Sequence, residues 1–108
     1  MTRNFIILTS EADAAQQKLI TDTLKTDGGW WHWFPQSWLF VTNYEFTALT
    51  LRDKIGAAFG AAGTPLPKML ILRVGVDSSD GAHWGGYSLP QVEGMKSVDW
   101  LNEDWKNK

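Results

Sequence analysis

The sequence contains no cysteine, only two histidines, no run of basic residues and no long apolar segment. The lack of thiols excludes disulfides, zinc–thiolate sites and cysteine nucleophiles. Without a dense cluster of Lys and Arg, a general coat for nucleic acid, which must neutralise many phosphates, is not expected. The apolar run at residues 5–8 is too short for a membrane span or a signal-peptide core, so we expect a cytoplasmic protein without a membrane partner.

Tryptophan, in contrast, is abundant, with seven copies among 108 residues. A hydrophobic fraction of 44% with 20% charged residues is ordinary for one folded domain. A chain of this length can hardly bury seven indoles in its own core, because each is large and carries an N–H that needs a partner when buried. Some of them are therefore expected at an interface or at the rim of a pocket.

The first half of the chain predicts a strand, a helix and a hairpin. Residues 4–9 are continuously apolar and β-branched, which is typical of a buried strand. A helix is predicted over residues 11–26, with Ser10 and Asp13 forming a capping box and Gly28 and Gly29 ending it. Two aromatic and β-branched runs, 30–34 and 38–42, then flank a turn at 35–37, as in an antiparallel hairpin.

The second half predicts one more helix and one more strand. Thr47 is the expected N-cap of a helix that carries Leu51, Ile55 and Phe59 on one face, and residues 69–76 form the last strand. The order β-α-β-β-α-β predicts an α+β protein, a ferredoxin-like sandwich with a four-stranded antiparallel sheet. Residues 1–76 would be its core, and residues 77–108 a loop and a short C-terminal helix that packs back on the same single domain.

Both faces of the predicted sheet are apolar. Side chains alternate between the faces of a strand, yet each alternating row of the first, third and fourth strands keeps large apolar groups. Two helices can cover only one face, so the other needs the C-terminal tail, with Trp84, Trp100 and Trp105, or a second copy of the chain. We expect a homodimer, and we assign its interface to Phe5, Ile7, Trp38, Phe40, Met69 and Ile71.

The tryptophan-rich hairpin at residues 30–42 and the run Leu51-Arg52-Asp53-Lys54-Ile55 resemble small bacterial and phage proteins. These are grouped with the ferredoxin-fold small subunit of the CRISPR adaptation complex and with virulence-associated protein D. The resemblance spans residues 4–76, and Trp100-Leu101 fits the tail of the same group. It implies a twofold dimer with facing sheets and a link to nucleic-acid or mobile-element biology, including phage defence, with nucleic acid or a protein of a defence system as partner.

Related proteins also include metal-dependent nucleases, which carry an aspartate at the end of the first strand. Here that position reads Leu8-Thr9-Ser10, without a carboxylate. Mg²⁺ and Mn²⁺ prefer carboxylate oxygens, so we expect a protein without catalytic residues or cofactor. A nuclease with displaced ligands remains the alternative. Its weak metal-ligand candidates are Asp13, Asp77, Asp80 and His83.

Two further sets of residues have both a functional and an ordinary interpretation. Lys25, Arg52 and Lys54 are candidate nucleic-acid contacts near tryptophans that could stack on bases, or they are solvated surface charges. A pocket lined by Trp84 and its glycines would suit a small-molecule sensor. The leading hypothesis from the sequence is a non-catalytic homodimeric interaction or scaffold protein.

Overall fold

The computed structural model describes residues 2–75 together with Trp100, Leu101 and Trp105. Four strands and two helices follow in the predicted order: β1 (Arg3–Ser10), α1 (Ala14–Leu24), β2 (Gly28–Phe34), β3 (Ser37–Thr42), α2 (Ala48–Ala62) and β4 (Lys68–Val74). Most of the region 77–108, including Ser97 and Trp84, lies outside the described residues, as do Asp77, Asp80 and His83.

The strands form one sheet in the order β2-β3-β1-β4, and every neighbouring pair is antiparallel. This arrangement confirms the predicted α+β, ferredoxin-like fold. β1 and β3 are central, whereas β2 and β4 are the edges. Neither described helix is long and apolar enough to cross a membrane.

The capping box of α1 differs from the predicted one. Asp13, not Ser10, is the N-cap: its Oδ1 accepts from the backbone N of Gln16, and the Gln16 side chain accepts from the N of Asp13. Ser10 remains in β1 because it pairs with Lys68 of β4. Glu11 then turns the chain with a φ of 59°. Two overlapping capping patterns exist in the sequence, and the strand pairing selects the later one.

The prediction for α2 is confirmed. Thr47 is its N-cap and accepts from the backbone N of Thr50 at 3.0 Å. Gly63 ends the helix with a φ of 67°, which is the left-handed region that favours glycine. The three residues spaced four apart, Leu51, Ile55 and Phe59, are all buried.

The prediction that Gly28 and Gly29 end α1 is wrong. α1 ends at Leu24, and Gly28 and Gly29 are the first residues of β2. Gly28 is required for a different reason, since a Cβ there would overlap the carbonyl oxygen of Val41 on β3. The hairpin therefore begins two residues earlier than its aromatic run suggests.

The main core lies between the helices and one face of the sheet. It consists of Phe5, Ile7, Ile20, Leu24, Trp38, Phe40, Leu51, Ile55 and Phe59, with Met69 and Ile71 half-buried against it. The assignment of Phe5, Ile7, Trp38, Phe40, Met69 and Ile71 to a dimer interface is therefore wrong. These six residues do share one face, but the helices cover it, and the first four have no exposed surface.

The opposite face, which we call the open face, is ordered in three cross-strand rows. The pairing of the strands places directly opposed residues on one side of the sheet. From β2 through β3 and β1 to β4, the first row is Phe34, Ser37, Leu8, Leu70; the second is Trp31, Leu39, Ile6, Leu72; the third is Gly29, Val41, Asn4, Val74. Apolar residues thus occupy both faces, as the alternation of the strands indicates.

Candidate functional site

Three apolar residues of the first row, Phe34, Leu8 and Leu70, and the neighbouring Leu72 are exposed on the open face, with Ser37 between Phe34 and Leu8. Leu8 is 37% exposed, Phe34 47%, Leu70 54% and Leu72 43%. Leu8 and Leu70 are paired across β1 and β4, and Leu72 follows on the same side of β4. We call these four residues the leucine patch. The interface predicted from the sequence used the residues that point to the other side of the same sheet.

The described residues of the C-terminal segment pack on the third row and on part of the second. Leu101 and Trp105 are buried and form a second apolar cluster with Trp31 and Val41. The buried amide of Asn4 donates to the backbone oxygen of Trp105 at 3.3 Å, so the polar group on this row has a partner. The tail therefore covers one end of the open face.

A cleft lined mainly by indoles lies at the β2 edge of the sheet. Its volume is about 370 Å³, and its lining consists of Thr21, Trp30, Trp31, His32, Trp33 and Trp100. Thr21 belongs to the helix layer, whereas Trp31, Trp33 and Trp100 contact the cluster on the open face, so the cleft extends around the edge strand. We call it the aromatic cleft. Its described lining contains no Asp, Glu, Lys or Arg.

A β-bulge shapes this edge. Trp31 pairs with Leu39 and Phe34 with Ser37, so β2 contains one residue more than β3 between the two pairs. The extra residue interrupts the regular alternation, and the ring of Phe34 packs edge-on against Trp31 at 5.2 Å. The sequence signals this only as a dense aromatic run, because nothing in residues 30–34 marks the position of the bulge.

His32 and Thr21 are both held by the core. The imidazole of His32 stacks on the indole of Trp38 at 4.1 Å, with 1° between the ring planes. His32 Nδ1 lies 2.9 Å from the carbonyl oxygen of Ser37, and Nε2 lies 3.3 Å from Gln17 Oε1. The indole N–H of Trp38 donates to Thr21 Oγ1 at 3.0 Å. These contacts support a structural histidine and give the cleft a rigid floor.

The candidate nucleic-acid contacts do not form one basic surface. Lys25 pairs with Asp22 at 3.1 Å, and Arg52 pairs with Asp53 at 2.7 Å.

Lys54 pairs with Asp27 and also lies over the ring of Phe46. Arg52 lines a groove with residues 69–71 of β4, whereas Asp27 immediately precedes β2 at the opposite edge. Each of the three candidate cations therefore has an acidic partner, and two of them lie at opposite edges of the sheet.

Of the weak metal-ligand candidates, only Asp13 lies among the described residues. Its Oδ1 accepts the capping hydrogen bond from Gln16, which gives the side chain a structural role. Within residues 2–75 and the three tail positions, no three His, Asp or Glu side chains are grouped so that they could hold a metal ion. Ser10 is the last residue of β1. No described hydrogen bond joins its hydroxyl to a side chain that could act as a general base and make it a nucleophile.

Comparison with protein-family models, with curated proteins and with solved structures gave no significant match to this chain. The resemblance to the small subunit of the CRISPR adaptation complex and to virulence-associated protein D therefore stays a prediction. The geometry of the leucine patch and of the aromatic cleft carries the functional argument.

Proposed function

We propose that this protein is a non-catalytic, homodimeric interaction module in which the leucine patches of two copies pack face to face across a twofold axis. The observation that carries the proposal is the exposure of Leu8, Leu70 and Leu72 side by side on a sheet face. The solvent face of an antiparallel sheet normally alternates to polar residues. A contiguous apolar area on that face marks an interaction surface.

The three described tail residues belong to a different part of the face. Trp100, Leu101 and Trp105 contact the other end, around Val41 and Trp31. Covering the leucines would contribute about 25 cal/mol for each Å² of apolar surface removed from water, before the entropy of association is subtracted.

A second copy fits the chemistry of the patch better than a charged partner does. In the three rows, none of the side chains is charged; on the same side of β4 the nearest charge is Lys68, whereas Arg73 lies on the other side, opposite Phe5. There is thus no charge pattern for an oppositely charged partner to match. A self-complementary apolar surface needs none, and homodimer interfaces are the more apolar class.

A stable dimer needs an interface larger than the leucine patch alone. A stable interface buries about 800 Å² on each partner, which is more than a few leucines provide. The leucine patch would be its centre, and the half-buried Ile6 and Leu39 of the second row and the exposed Lys68 would surround it. Ile6 and Leu39 also pack against the cluster that contains Leu101 and Trp105, so the interface would border the described tail residues.

Sedimentation velocity over a range of concentrations tests the proposal on the full chain. The wild type is expected to be a dimer, and Leu70→Glu a monomer with the same circular dichroism spectrum and a melting temperature that no longer depends on protein concentration. Leu66→Glu is the matched control, because Leu66 is 60% exposed but lies before β4, outside the patch. It should remain dimeric.

Leu72→Gln provides a second and milder variant, for the case that a charge on β4 disturbs the fold. It should raise the dissociation constant without changing the melting curve of the monomer. A wild type that stays monomeric at high micromolar concentration, or a folded Leu70→Glu variant that stays dimeric, would overturn the proposal.

A further inference from the structure

The aromatic cleft is rich in tryptophan, and the proposed dimer interface does not account for these residues. Four of its six lining residues are tryptophans, and Trp30 is 39% exposed although its neighbour Trp31 is buried. Trp30 lies on an edge strand, opposite the fully buried Phe40. An exposed indole supported by a packed core is a rigid flat surface on which another ring can stack.

The volume of the cleft limits the size of its ligand. At about 370 Å³ it lies near the lower end of the range of small-molecule pockets, which is roughly 300–1,000 Å³. It therefore suits one small ring system rather than several side chains of a protein partner.

The two lining residues that are not tryptophans are engaged within the protein. Thr21 Oγ1 accepts from the indole of Trp38, and both ring nitrogens of His32 lie near protein oxygens of Ser37 and Gln17. The indoles of the lining can offer the edge of a ligand only N–H donors. Recognition would depend on stacking, which tolerates any base because every base has a π face.

Two lysines lie on the side of α1 that carries Thr21, the helix residue that lines the cleft. Lys18 precedes Thr21 by three residues and Lys25 follows it by four, so all three lie on one side of the helix. Both ammonium groups contact Asp22, at 2.6 and 3.1 Å, and their side chains are 76% and 55% exposed. Two cations and one carboxylate leave a net positive charge on the side of α1 that Thr21 shares.

We infer that the aromatic cleft binds the planar heteroaromatic ring of a nucleobase by stacking on Trp30, while Lys18 and Lys25 attract the phosphate attached to that base. The phosphate would compete with Asp22 for the two ammonium groups. The ligand class is a nucleotide, either free or as a unit of a single strand. The inference does not depend on the dimer, because the cleft is at the β2 edge and the leucine patch is centred on β1 and β4.

Calorimetric titration of the full chain with adenosine and with AMP tests the two parts of the site separately. Trp30→Leu should weaken both ligands about tenfold or more, since stacking on an aromatic side chain is lost. Tyr44→Leu is the matched control, because Tyr44 is 57% exposed but does not line the cleft. It should bind as the wild type does.

The double variant Lys18→Gln, Lys25→Gln should weaken AMP and leave adenosine unchanged, and added salt should act in the same direction. Lys68→Gln is its control, since Lys68 is exposed at the opposite edge. An equal loss for both ligands would contradict the assignment of the lysines to the phosphate.

Fluorescence anisotropy with labelled single-stranded oligonucleotides of about ten residues distinguishes the two sources of the base. A single strand that binds much more tightly than AMP identifies nucleic acid as the source, and equal affinities identify a free nucleotide. Duplex DNA should bind more weakly than the single strand, because its bases are stacked internally. Three results would each overturn the inference: no binding of any base-containing ligand up to millimolar concentration, unchanged binding by folded Trp30→Leu, and preference for a quaternary ammonium such as choline.

Discussion

The carboxamide of Gln36 pairs with the backbone of Ala12 in both directions. Gln36 Nε2 donates to the oxygen of Ala12 at 3.0 Å, and the N–H of Ala12 donates to Gln36 Oε1 at 2.8 Å. Oε1 also accepts from the hydroxyl of Thr9 at 2.6 Å. The turn of the β2–β3 hairpin is thereby fixed to the segment that leads from β1 into α1.

Gln36→Ala should therefore destabilise the protein by about 1–3 kcal/mol, because it leaves the N–H of Ala12 without its acceptor, although the Ala12 oxygen keeps a hydrogen bond from Gln17 Nε2. Gln36→Glu should also destabilise it, since a carboxylate cannot donate to the Ala12 oxygen. Urea denaturation followed by circular dichroism measures both effects. Asn43→Ala, which removes an exposed amide, is the control and should change the midpoint little. Wild-type stability of Gln36→Ala would show that water replaces the pair without cost.

Trp38 and Thr21 should be energetically coupled through the hydrogen bond between the indole N–H and Thr21 Oγ1. Thr21→Val leaves the indole N–H of a fully buried tryptophan without its acceptor, and Trp38→Phe removes the donor. A double-mutant cycle in urea should give a coupling of about 0.5–1.5 kcal/mol. Additive effects of the two substitutions would contradict this contact.

Two glycine-to-alanine substitutions should change the free energy of unfolding in opposite directions. Gly28→Ala should destabilise the protein by more than about 1 kcal/mol, because the new Cβ overlaps the carbonyl oxygen of Val41. Gly60→Ala should stabilise it by about 0.5–1 kcal/mol, because Gly60 lies within α2 and a Cβ there meets no atom within 4 Å. Thermal melts of both variants beside the wild type would show the contrast, and equal shifts of the two would refute it.

Phe40→Ala separates the core from the proposed interface. Phe40 has no exposed surface and contacts Phe5 with ring centroids 6.3 Å apart. Its truncation should cost about 3–5 kcal/mol of stability and leave the dissociation constant of the dimer unchanged wherever the variant is still folded. Sedimentation of the folded variant at low temperature checks the second part. A weaker dimer together with unchanged stability would contradict this prediction and would indicate that Phe40 lies in the dimer interface.

The ion pairs of Asp22 should give a small pH dependence. Hydrogen bonds from Lys18 and then from Lys25 lower the pKa of the Asp22 carboxyl below its usual value. A carboxyl with a lowered folded-state pKa stabilises the fold above its unfolded pKa, and that contribution is lost as the pH falls through the folded pKa. Asp22→Asn should thus be slightly less stable than the wild type at pH 7, and the difference should shrink in acid. A difference that is independent of pH would contradict this.

Local patterns in the sequence determined the elements and their order. The spacing of Leu51, Ile55 and Phe59 and the cap at Thr47 identified α2, because these are properties of one helix and its nearest neighbours in the chain. The order of the elements then defined the ferredoxin-like topology, and strand alternation showed that both faces of the sheet are apolar.

Only the tertiary structure decided which face the helices cover. The two sets of alternating side chains on each strand are similarly hydrophobic, so no local sequence pattern distinguishes the covered face from the open one. Pairing across the sheet placed Phe5 and Phe40 beneath the helices and left Leu8 and Leu70 exposed together. The same long-range contacts brought Trp100 to the edge strand beside Thr21 and Trp30, residues that lie seventy or more positions away in the chain. A candidate site built from such distant segments exists only once the sheet has formed.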